Sequence, residues 1–197
     1  RICLRLLAIG CRTGTGLTGR HKEADKPWET TMTSTFLRLT TLLGAVLTMG
    51  MAAGAFALYA HAIMPGLRKT DDRTFVAAFQ QMDRAIINPW FMITAFGGAF
   101  VLTLVAGIAN RGTPALPPIA AAFGLYLVAV VITIAVNVPM NDAIKAAGDP
   151  AHIDVTQVRA QFNEARWAAA NLVRVATSVP AFGLLAWALV LCGRATA

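Results

Sequence analysis

The chain reads as an all-α protein, a four-helix transmembrane bundle with an amphipathic surface helix between spans one and two. Three observations predict this. Apolar residues make up 56% of its 197 residues and charged ones only 14%, against about 45–50% and about 25% in soluble domains. Four charge-free stretches are each long enough to cross hydrocarbon, which takes roughly 20 helical residues. Helix-starting and helix-stopping residues fall between those stretches.

Residues 1–31 carry six of the 17 basic residues and two of the three cysteines. They contain no apolar core long enough for a signal peptide and no small-residue cleavage site. Met32 stands immediately before the first span. Residues 1–31 are therefore expected to be a disordered or non-native tail, and residues 32–197 the four-span membrane domain.

The first charge-free run is Leu39–Ala60, within a span placed at about 36–63 and followed by Pro65. Thr70–Ile87 places Phe75, Val76, Phe79, Met82, Ile86 and Ile87 at roughly helical spacing, so an amphipathic helix at the membrane surface is expected. Asn88-Pro89 is a cap followed by proline at the first helical position, and it opens span two, about 89–110. Thr113–Pro118 is a short turn. Span three follows at about 115–139, ended or kinked by Pro139. Asp154–Arg166 reads as a polar helix capped by Asp154 and merging into span four, about 167–192, which Pro180 kinks.

Net charge is +7, but outside the tail the basic residues are scattered singly. This excludes a basic nucleic-acid-binding face. Cys3, Cys11 and Cys192 form no CxxC, which argues against thiol-redox chemistry. Four spans without an internal repeat disfavour a transporter of two inverted halves. An integral membrane protein is expected, in a bacterial cytoplasmic membrane, with the lipid bilayer as its surroundings.

Polar groups are costly inside lipid, so their positions are informative. In an up-down-up-down bundle, the end of span one, the start of two, the end of three and the start of four share one side. The unusual polar residues sit there: Tyr59 and His61, Asn88, Asn137 with Asn141 and Asp142, and Asn171 with Arg174, beside Trp167. Gly50, Gly54, Ala57 and His61 share one face of span one, and Gly50-x-x-x-Gly54 marks a close-packing surface. Thr133, Asn137 and Asn141 line span three, and Trp167, Asn171, Arg174 and Ser178 line span four. Arg174 needs a partner, and Asp142 on the facing end is the expected one.

Each residue also has a plainer reading. Asn88 caps a helix, Asn137 and Asn171 tie helices together, and Tyr59 and Trp167 are interface aromatics. A lone His61 makes a poor metal site, even with His152, Met64, Met82 and Met140 on the same side. No metal and no cofactor is expected.

Tyr59-Ala-His61, Ile87-Asn88-Pro89-Trp90-Phe91, Asn137-Val-Pro139-Met-Asn141-Asp142 and Trp167-x-x-x-Asn171-x-x-Arg174 together resemble the anthrone oxygenase-like membrane family, also known as domain of unknown function 1772. The resemblance covers about residues 34–192, and Asp83 departs from it, standing where a neutral polar residue is expected. It implies a small four-helix membrane protein, and for some relatives oxidation of an anthrone to an anthraquinone with molecular oxygen.

On that basis His61 is the candidate general base, histidine being the side chain that exchanges protons near neutrality. Arg174, Asn171 and Asn141 would stabilise an oxyanion. Tyr59, Asn88, Asn137, Asp142 and Trp167 would line the site for a lipophilic polycyclic phenol. The rival reading is a non-enzymatic scaffold or lipophile-binding protein. A cavity beside His61 and Arg174 separates the two, since a scaffold would leave these residues mutually satisfied with no space.

Overall fold

The computed structural model describes residues 27–194, with side chains from Ser34 onward. The tail expectation for residues 1–31 lies largely outside them, and residues 27–31 already belong to the first helix. Among the described residues all regular structure is helical, and four helices are long and apolar enough to cross a membrane.

Span one is α1 (Pro27–Leu58), continued by a π-helical segment, Tyr59–Ile63, and a short α2 (Met64–Leu67). After α3 (Asp72–Ile86), span two is a π segment, Phe91–Gly97, leading into α4 (Gly98–Ala109). Span three is α5 (Leu116–Ile132), a π segment, Thr133–Asn137, and α6 (Val138–Ala146). A short α7 (Val155–Phe162) precedes α8 (Glu164–Arg194), which runs on through Pro180.

The expected caps are in place. Asn88 Oδ1 accepts from the Phe91 amide at 2.9 Å, and Asp154 accepts from the Gln157 amide at 3.0 Å. The expected merger of the polar helix with span four does not occur. Asn163 adopts a left-handed conformation, φ 52°, and ends α7. Its side chain then caps α8 by accepting from the Arg166 amide. Pro139 does not end span three. It falls in the first turn of α6, where its missing N–H follows directly on a π segment already out of α-helical register.

The long packing interfaces are α1 on α4 and α8, and α5 on α8, with a smaller α4–α5 contact. On span one the buried stripe is Leu42, Ala45, Met49, Ala52 and Phe56. This corrects the glycine-face expectation. Gly50 does meet Phe182, but a side chain at Gly54 would find open space. The large apolar residues, with more surface to bury, set the orientation of the helix. Span four keeps the expected face, with Trp167, Asn171, Arg174 and Ser178 all buried and the stripe continuing through Ala181, Leu185, Ala188 and Cys192.

The amphipathic helix α3 spends its apolar face on the protein. Phe75, Val76 and Phe79 join Met64, Ile144, Phe162 and Trp167 in a second core over the polar end of the bundle. Gln80 fastens this cap, donating to the Ile144 carbonyl at 2.8 Å and the Gly148 carbonyl at 3.0 Å.

Candidate functional site

Beneath α3 lies a cavity of about 450 Å³, within the range of small-molecule sites, ~300–1,000 Å³. Its walls are mainly apolar and aromatic, including Phe56, Tyr59, Phe79, Phe91, Phe96 and Trp167. All three π segments border it, through Tyr59, through Phe91, Met92 and Phe96, and through Thr133 and Ile134. Such segments are rare and concentrate at functional sites, because the extra residue re-aims neighbouring side chains.

Arg174 lines one wall, with only 6% of its surface exposed. Its Nη2 donates to Asn171 Oδ1 at 2.8 Å, and Asn171 is itself anchored by its Nδ2 to the Phe56 carbonyl at 3.1 Å. The Nη1 contact to Thr133 Oγ1 is long, 3.5 Å, and Nε is buried with no hydrogen-bond partner among the described residues. The guanidinium lies 4.5 Å from the centroid of the Phe56 ring and 5.4 Å from that of Trp167. These faces offer cation–π attraction but no negative charge. Among the described residues no carboxylate forms an ion pair with Arg174.

The expected Arg174–Asp142 pair is therefore corrected. Asp142 lines the cavity with a mostly exposed carboxylate and pairs instead with Lys145, one turn along α6, at 3.0 Å. Lys145 also holds Asp83 at 2.7 Å. Asn141 joins this group to span four: its Nδ2 donates to Asp83 Oδ1 at 2.6 Å, and its Oδ1 accepts from Trp167 Nε1 at 2.8 Å.

The structure thus brings Tyr59, Asn141, Asp142, Trp167 and Arg174 to one cavity, with Asn171 behind Arg174. Asn137 is buried beside it, making only a long contact to the Trp167 carbonyl. Asn88 keeps to its cap, donating to the Ala85 carbonyl as well. His61 is exposed and lies outside the cavity lining, so it does not share the expected space. It follows the span-one face that proved not to be the packed one, within a π segment that shifts its register.

Sequence reasoning missed Asp83 as a site residue. The signal was present: Phe75, Phe79 and Asp83 recur at spacing four, which puts a carboxylate on the apolar face of α3. Among the described residues no group of three or more His, Cys, Asp and Glu side chains is arranged to hold a metal.

A family model described as anthrone oxygenase matches residues 81–184, more than half of the chain. No curated protein and no solved structure matches significantly. The matched segment runs from Gln81 in α3 to Leu184 in α8. It therefore carries Asp83, Asn141, Lys145, Trp167 and Arg174 of the cavity wall, with Asn171 behind Arg174, and the chain belongs to the anthrone oxygenase family.

Proposed function

We propose that the cavity binds a flat lipophilic molecule carrying an acidic C–H or O–H group and oxidises it with molecular oxygen. The observation that carries this reading is Arg174, a buried cation on an apolar aromatic wall with no carboxylate among the described residues to answer it. A phenolate or enolate oxygen supplies the missing charge, and hydrogen bonds to a charged donor in a water-poor site are strong. Phe56, Tyr59 and Trp167 offer ring faces to a planar body.

For an anthrone the balance is simple. The ring methylene gives up a proton and its electron pair delocalises onto the ketone oxygen, held by Arg174. Dioxygen adds to the carbon and takes up the proton as a hydroperoxide, and loss of water leaves the quinone. One oxygen molecule is consumed and one water released per substrate. Asp83, oriented by Asn141 and Lys145, is the carboxylate on the cavity wall best placed to carry the proton. His61, on the outer surface, has no part in this reading.

The test is oxygen uptake by the purified protein against a panel of phenolic polycycles. Arg174→Gln is expected to abolish uptake, Asp83→Asn to slow it, and His61→Ala to leave it unchanged. Full activity in Arg174→Gln would overturn the reading. Ligand binding without oxygen consumption would keep the site but favour a lipophile-binding protein.

A further inference from the structure

We infer that the cavity is filled sideways from the bilayer, through a gap between spans two and three, and that its ligand is a neutral lipophile dissolved in the membrane that becomes anionic only on reaching Arg174. The inference rests on the cavity being the ligand site, as proposed above.

Spans two and three pack along α4 and α5, where Phe100 and Phe123 stand 5.0 Å apart. Phe96 of span two's π segment still meets α5, its carbonyl accepting from the Tyr126 hydroxyl at 3.1 Å, but the two π segments make at most marginal contact with each other. The residues of that gap face two ways. Met92, Ile134 and Val138 line the cavity and leave 39%, 62% and 42% of their surfaces accessible. All three lie on the apolar helices long enough to cross a membrane, so the surroundings they meet are lipid. A rim of aliphatic side chains passes an uncharged molecule and opposes a hydrated ion.

The end of the cavity under α3 is closed by stronger ties. Gln80 binds α3 to the end of span three through two carbonyls. Lys145 bridges Asp83 of α3 to Asp142 of α6. Opening that end breaks two hydrogen bonds and an ion pair, whereas widening the gap between the π segments parts side-chain contacts and strains at most one hydrogen bond, from the Tyr126 hydroxyl to the Phe96 carbonyl.

Access can be read with cysteine reporters in the full chain reconstituted in phosphatidylcholine vesicles. The background is Cys3→Ser, Cys11→Ser and Cys192→Ala. The reporters are Ala55→Cys and, as a second position, Thr133→Cys, both on the cavity wall. Two aryl maleimides are compared, one uncharged and one sulfonated, the latter present on both sides of the membrane. The uncharged reagent is expected to label both reporters many-fold faster, and adding Ile134→Trp should slow that reagent specifically. Equal or faster labelling by the sulfonated reagent would overturn the lateral route and leave the cavity reading standing. No labelling by either reagent, while Ile134→Cys on the rim reacts, would remove both.

Discussion

The Lys145 ammonium stands 2.7 Å from the Asp83 carboxylate, joining α6 to the cap helix at the closed end of the cavity. Asp83 is nearly buried, while Lys145 keeps some exposure. Removing one partner of a buried pair costs about 3–5 kcal/mol, because the other charge is left without compensation. Lys145→Met is expected near the lower end of that range. Asp83→Asn should cost less, about 1–2 kcal/mol, since Lys145 keeps Asp142 and the new amide oxygen can still accept from Asn141. The double variant should be more stable than Lys145→Met alone. Reversible denaturation in detergent of the three variants checks the order.

Asn163 serves two helices, with its left-handed backbone ending α7 and its side chain capping α8. Asn163→Gly keeps the backbone conformation and is expected to cost only a few tenths of a kcal/mol for the exchange of cap. Asn163→Ala loses the cap, about 1 kcal/mol, and strains the backbone by about 1–2 kcal/mol. Thermal melts should therefore rank wild type and Asn163→Gly close together, with Asn163→Ala clearly below.

Asp71 caps α3, accepting from the amide and the hydroxyl of Thr74. Those hydrogen bonds favour the ionised carboxylate and hold its pKa below the usual aspartate range. A depressed folded-state pKa gives a contribution fully present above the unfolded value, about 3.9, and lost as pH falls through the folded value. The melting temperature of the wild type should therefore fall on acidification below about pH 4 more steeply than that of Asp71→Asn. Parallel slopes would show that the cap contributes nothing.

These features differ in how far the sequence exposes them. The four spans, the Asn88 and Asp154 caps and the inward stripe from Trp167 to Ser178 are local signals, carried by charge-free runs, capping residues and a helical period. The convergence of Asn141, Trp167 and Arg174 follows from connectivity alone, because an antiparallel bundle puts those ends on one side. The π segments depend on one extra residue per turn, which leaves no compositional trace, and they decide what His61 and Thr133 face. The partner of Arg174 could not be read because Lys145, one turn away on the same helix, takes Asp142 first. Nor does a lone asparagine at position 163 announce a break in a pattern that is otherwise continuously helical.

Arg174 gives the prediction in which stability and function part company. Its guanidinium is buried, held by Asn171 and two aromatic faces, and lacks a counter-charge among the described residues. A charge at the centre of a span costs about 2.5–3.5 kcal/mol even on the lenient insertion scale. Replacing it by an apolar side chain of similar length should recover part of that cost, as buried ionic groups often do when exchanged for packed hydrophobes. If Arg174 served only to hold the bundle together, Arg174→Met would melt well below wild type. If it is kept for a ligand's negative oxygen, Arg174→Met should melt at or above wild type and lose both binding and oxygen uptake. Arg174→Lys should fold and retain weak binding, because an ammonium keeps the charge but loses the planar fork and its stacking on Phe56 and Trp167. Melting temperature and ligand-dependent quenching of tryptophan fluorescence, measured on the same preparations, decide between the two. A destabilised Arg174→Met that still binds would sink the anion site.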